Sequence, residues 1–156
     1  MQPNSELRTS NADIAQLNSF LRGELAAVET YDQALSKITD AQVKEPLRVA
    51  RTSHERRASQ LRQRILVLGG EPAESSGLWG GIAKLVEAGA AAFGTSPAIA
   101  ALEEGEDRGR DDYRRDLGDL SQETRAFVSS MVLPEQLKTH DLMSALKRQL
   151  KADASS

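Results

Sequence analysis

Apolar side chains recur along this chain at alternating spacings of three and four, which places one buried stripe on each of several helices. The first stripe runs through Ile14, Leu17, Leu21, Val28, Leu35 and Ile38, and Glu24 and Tyr31 stand on the same seam. Asn11 has a side chain that accepts from the free amides of a helix start, so it predicts the N-terminus and leaves residues 1–10 as a flexible polar tail. A short turn around Asp40 leads to a second stripe, Val43, Leu47, Ala50, His54, Ala58, Leu61, Ile65 and Leu68. Gly69, Gly70 and Pro72 stop that helix.

Beyond the turn-rich stretch 69–77, the residues Trp79, Ile82, Val86, Gly89 and Phe93 share a face and predict an extra helix, closed by Gly94 and Pro97. A third long helix starts from Ser96, with Pro97 at its first position, and carries Ile99, Leu102, Glu106, Gly109, Tyr113, Leu117 and Leu120 inward. The fourth begins near Ser121, with Phe127, Ser130, Leu133, Leu137, His140 and Met143 as its inner face. Pro134 predicts a kink there, because it removes a backbone donor and crowds the preceding turn. Residues 152–156 form a second tail. Short links make antiparallel neighbours of the first two helices and of the last two, while the long middle link can run the length of the assembly. The predicted fold is all-α: one four-helix-bundle domain over residues 11–151, built of two antiparallel hairpins joined by a long crossover containing an extra helix.

Composition agrees, since 28 % charged and only 4 % aromatic residues suit helices better than sheets. A net charge of -3 with interspersed signs gives no general attraction to nucleic acid or to an anionic membrane. Glu6, Arg8 and Asp13 replace the apolar run a signal peptide needs, and the least polar stretch, Leu78 to Leu102, is interrupted by Lys84, Glu87, Gly94 and Pro97. A cytoplasmic location is the expectation. The apolar face of the extra helix is expected to pack across the bundle or in a homodimer. With no cysteine, carboxylates and imidazoles are left as metal ligands.

The seams carry a repeat. Gly23-Glu24, Tyr31 and Leu35 in the first helix match Gly105-Glu106, Tyr113 and Leu117 in the third at identical offsets, and these are the chain's 2 tyrosines. Its 2 histidines, in His54-Glu55 and His140-Asp141, fall on the seams of the partner helices. Packing the hairpins about a pseudo-twofold axis brings Glu24, His54, Glu106 and His140 into one layer. Buried carboxylates need a counter-charge, and oxygen and imidazole donors suit iron, manganese or zinc. Glu103, one turn before Glu106, is a further candidate ligand. Tyr31 and Tyr113 sit about 10 Å along the axis from the glutamate of their own helix, which makes them donors to the ligands rather than ligands. The competing reading puts Arg51 in the place of the metal, paired with Glu24 or Glu106, with the histidines bonded to the tyrosines. Arg48, Arg56, Arg57, Arg62 and Arg64 read mainly as a solvated face.

Gly23-Glu24, the run Leu68-Gly69-Gly70-Glu71-Pro72, the stretch Leu102 to Leu117 and His140-Asp141 together resemble the ferritin-like superfamily. Within it they resemble a bacterial group of small four-helix-bundle proteins known only as a domain of unknown function. The resemblance covers roughly Leu17 to Leu146. It implies a bundle associated as a homodimer or larger homo-oligomer, with di-iron oxidases and iron-storage proteins among its relatives, and supplies no activity. The chain departs from the di-iron pattern of Glu-x-x-His on two helices, since Arg51 stands three before His54 and Leu137 three before His140. Two functions follow as expectations: a non-haem metal-binding protein, or a structural or interaction bundle with a vestigial, metal-free polar layer.

Overall fold

The structure is a computed structural model and describes residues 3–77 and 94–156. Among these residues every regular element is helical: α1 (Pro3–Lys37), α2 (Ala41–Val67), α3 (Thr95–Asp116), a 3-10 turn (Leu117–Asp119), α4 (Gln122–Phe127), a π turn (Val128–Val132) and α5 (Leu133–Ala154). The protein is all-α. No described helix is long and apolar enough to cross a membrane.

Local chemistry sets most boundaries. The Asp40 carboxylate accepts from the Gln42 amide at 2.9 Å and starts α2. At the other end Gly69 takes a φ of 83°, and the amides of Gly69 and Gly70 return to the carbonyls of Leu66 and Ile65. That closure uses the glycine's access to the left-handed region. Gly70 also lies so close to α1 that a Cβ there would stand 2.6 Å from the Ile14 side chain. Three expected boundaries are corrected. Asn11 lies inside α1, which starts at Pro3, and α5 continues to Ala154. The third helix opens at Thr95, one residue ahead of the expected Ser96.

Cross-helix contacts fix the directions. Asp32 meets Arg51, Glu24 meets His54 and Ile14 meets Gly70, so α1 and α2 are antiparallel. Tyr31 meets Glu106 and Glu24 meets Tyr113, so α3 is antiparallel to α1 as well. Arg57 meets Gln136 and Arg64 meets Glu123, which sets α4 and α5 against α2. The last Leu68 to Gly77 stretch turns back along α1: the Asn18 side chain donates to the Glu71 carbonyl at 2.9 Å and accepts from the Ala73 amide at 2.7 Å, and the Ser76 hydroxyl donates to the Glu29 carboxylate at 3.0 Å. The extra helix expected between Trp79 and Phe93 lies outside the described residues.

The fourth seam differs from expectation. Its buried residues are Thr124, Val128, Val132, Gln136, Thr139, Met143 and Leu146, whereas Ser130 is exposed. The π turn widens the repeat to four residues here, because the Leu133 amide reaches back five positions to the Val128 carbonyl. It lies just ahead of Pro134, whose missing donor and ring are accommodated by the looser turn. At its start Ser121 caps α4, and buried Asp13 from α1 accepts from both the Ser121 amide and hydroxyl.

The core is divided. One apolar cluster gathers Tyr31, Ile38, Leu47, Ile99, Leu102 and Met143; the other gathers Leu17, Leu21, Leu61, Ile65, Tyr113 and Val132. Between them lie the buried polar residues Glu24, His54, Arg57, Glu106, Gln136 and Thr139.

Candidate functional site

Each helix contributes to this middle layer by the same spacing rule that built its seam. α1 gives Glu24 and Tyr31, and α3 gives Glu106 and Tyr113. α2 gives His54 and Arg57, and α5 gives Gln136 and Thr139, each pair three residues apart on one helix face. Gly109 on α3 makes room for this, since a Cβ there would stand 2.8 Å from the Gln136 amide nitrogen.

His54 lies between the two glutamates. Its Nδ1 is 2.6 Å from Glu24 Oε2 and its Nε2 is 2.7 Å from Glu106 Oε1. Carboxylates are acceptors only, so both ring nitrogens donate and the ring is an imidazolium. The tyrosines cross over: Tyr31 on α1 donates to Glu106 on α3 at 2.6 Å, and Tyr113 on α3 donates to Glu24 on α1 at 2.6 Å. Gln136 Nε2 and Thr139 Oγ1 each donate to Glu106 Oε2 at 2.8 Å.

Arg57 completes the layer and is fully buried. Its guanidinium donates to the Gln136 side-chain carbonyl and, at 3.1 Å, to Thr139 Oγ1, while Nη1 lies 3.4 Å from Glu24 Oε1. Nη2 also lies 2.9 Å from His54 Nδ1, a contact between two cations that the surrounding acceptors offset. Glu24, Glu106, His54 and Arg57 sum to neutrality, and none of the layer's side-chain nitrogens or oxygens is left without a partner.

The protonation preferences follow. Burial works to raise the carboxyls, but the cationic His54 and Arg57 outweigh it: Glu24 is held below its ordinary value and Glu106 is lowered to about 2. For His54 burial opposes the charged ring, and the Glu106 and Glu24 carboxylates overcome this and raise its pKa. Burial and the adjoining carboxylates push both tyrosines well above the usual phenol range, so they stay protonated donors.

Of the residues singled out from the sequence, Glu24, His54, Glu106, Tyr31 and Tyr113 meet here. His140 does not. It lies on the flank of α5, where Nε2 contacts Asp107 at 2.6 Å and Nδ1 lies 3.3 Å from Asp141, because the seam passes through Thr139 instead. Glu103 faces Lys147 at 3.3 Å. Arg51 is on the surface, bridging Asp32 and Glu55, so the expected arginine counter-charge is Arg57 rather than Arg51. The tyrosines bond the glutamates and not the histidines, although the Tyr31 ring lies 5.3 Å from that of His54.

An iron, manganese or zinc ion would need His54 to give it a ring lone pair. Both nitrogens are committed to carboxylates, and Arg57 occupies the approach to Glu24. Among the described residues no group of three or more His, Cys, Asp or Glu is arranged to hold an ion. The donors as placed do not fit a resident metal. A cavity of about 150 Å³ between α1 and α3 opens beside the layer, with Gly23 and Gly105 on its rim.

These features define an all-α protein with a buried polar layer that supplies its own counter-charges. The family described as Domain of unknown function (DUF2383) matches residues 12–119, more than half of the 156, and the chain belongs to that family. No curated protein and no solved structure matches the chain. The match takes in every charged residue of the layer and ends before Gln136 and Thr139.

Proposed function

We propose that this protein is a structural or interaction protein, a ferritin-like four-helix bundle whose central layer works without a metal and fixes how its helices pair. The observation that carries this reading is the complete mutual satisfaction of Glu24, Glu106, His54 and Arg57. A buried polar layer favours the single alignment that satisfies every group, because any slip of one helix turn leaves charges unpaired. The antiparallel directions of α1 with α2 and α3 support the ferritin-like order. Association as a homodimer or larger homo-oligomer belongs to the same proposal and rests on the family resemblance; gel filtration reports the assembly.

The test is the metal content of untagged protein, as purified and after anaerobic incubation with ferrous iron, manganese or zinc followed by desalting. No stoichiometric metal is expected to remain. Retention of metal that disappears in His54→Ala would overturn the proposal and establish the metal-binding reading.

A further inference from the structure

We infer that Arg57 is the layer's built-in cation and keeps divalent metals out of a latent site made by the groups that surround its guanidinium. The inference rests on the metal-free reading above and goes further, by naming the residue that excludes the ion and the donors that would take it.

Four donor atoms from three helices converge on the end of one fully buried side chain. Glu24 Oε1 lies 3.4 Å from Nη1, His54 Nδ1 2.9 Å and Thr139 Oγ1 3.1 Å from Nη2, and Gln136 Oε1 accepts from Nη1. A carboxylate, a hydroxyl and an amide carbonyl, joined by an imidazole nitrogen once His54 gives up its Nδ1 proton, make a cation-binding shell, and the group inside it is a guanidinium. Glu106 contributes a second carboxylate through His54, Gln136 and Thr139. While Arg57 is present, its charge and volume keep a second cation out. With the guanidinium removed, two carboxylates face one imidazolium, and the layer carries a net negative charge in a vacated volume. Loss of the Nδ1 proton from His54 then makes the ring nitrogen a ligand, so an ion takes the place of both positive charges. Oxygen and imidazole donors select zinc or manganese over magnesium. The cavity beside Glu24 and Glu106 provides the way in.

The experiment compares wild type, Arg57→Ala, Arg57→Lys and the double variant Arg57→Ala with His54→Ala by equilibrium dialysis and thermal melting, in Zn²⁺ and in chelator. Arg57→Ala should retain zinc in a one-to-one ratio and melt higher with zinc than in chelator. Wild type, Arg57→Lys and the double variant should show neither effect. If Arg57→Ala is unfolded in chelator, zinc should restore its helical circular dichroism. A folded Arg57→Ala that takes up no zinc, or an unfolded one that zinc does not restore, overturns the inference and leaves the metal-free reading standing. Zinc uptake by wild type that depends on His54 overturns both.

Discussion

The two hairpins of this protein share a frame and differ in what fills it. In each, one helix carries Gly-Glu and a tyrosine two turns later, and each glutamate accepts from the tyrosine of the other hairpin. The partner helices diverge: α2 brings the cations His54 and Arg57, and α5 brings the neutral Gln136 and Thr139. Both acids are therefore neutralised from one side, while α5 relays hydrogen bonds between Arg57 and Glu106. A duplicated backbone does not need duplicated chemistry, because a buried layer must only balance its charges and satisfy its donors as a whole.

The largest test of this asymmetry is a pair of truncations. Arg57→Ala should lower stability by about 3–5 kcal/mol, since it strands a buried charge. Gln136→Leu, on the neutral helix, should cost about 1–3 kcal/mol through lost hydrogen bonds. Denaturant unfolding measures both, and equal losses would mean that the charge does not reside on α2 alone.

The pH dependence comes next. Glu106 held at about 2 instead of 4.5 contributes stability that is present above pH 4.5 and lost as pH falls through the folded value. That contribution is about 3 kcal/mol. His54 has the opposite sign: its raised pKa gives stability that is full below 6.5 and lost as pH rises through the folded value. Chemical denaturation across pH should show a plateau between 4.5 and 6.5 with a decline on both sides. His54→Gln should remove the alkaline decline.

Tyr31→Phe and Tyr113→Phe sharpen the symmetric half of the comparison. Each deletes one donor to a buried carboxylate and should cost about 1.5–3 kcal/mol, with the two losses similar. The smallest effect belongs to His140→Ala. Its partners Asp107 and Asp141 are partly or well exposed, so unfolding should change by about 0–1 kcal/mol. A larger loss would return His140 to a central role.

Much of this arrangement was legible in the residues themselves. Glu24, Tyr31, Glu106 and Tyr113 announce themselves through a repeat at fixed offsets, and His54 through its place on an otherwise apolar seam. His140 misleads because it stands three residues before buried Met143, as Thr139 stands four before it, and beyond the π turn the seam through Gln136 takes Thr139. Pro134 was the available signal, although it predicts a disturbance and not its direction. Arg57 was hidden among the arginines of α2, where charge reads as surface. Its position three after His54 was the clue. Gln136 and Thr139 gave less, since neutral polar residues on a helix are ordinary until the acceptors they face are known.

The crossed tyrosines also bear on how the molecule comes apart. Each hairpin holds a glutamate whose phenol donor belongs to the other, so neither can close its own polar centre while the other is open. The halves are thereby latched together like two pieces that each carry the other's key, and loosening either should release both in a single cooperative step.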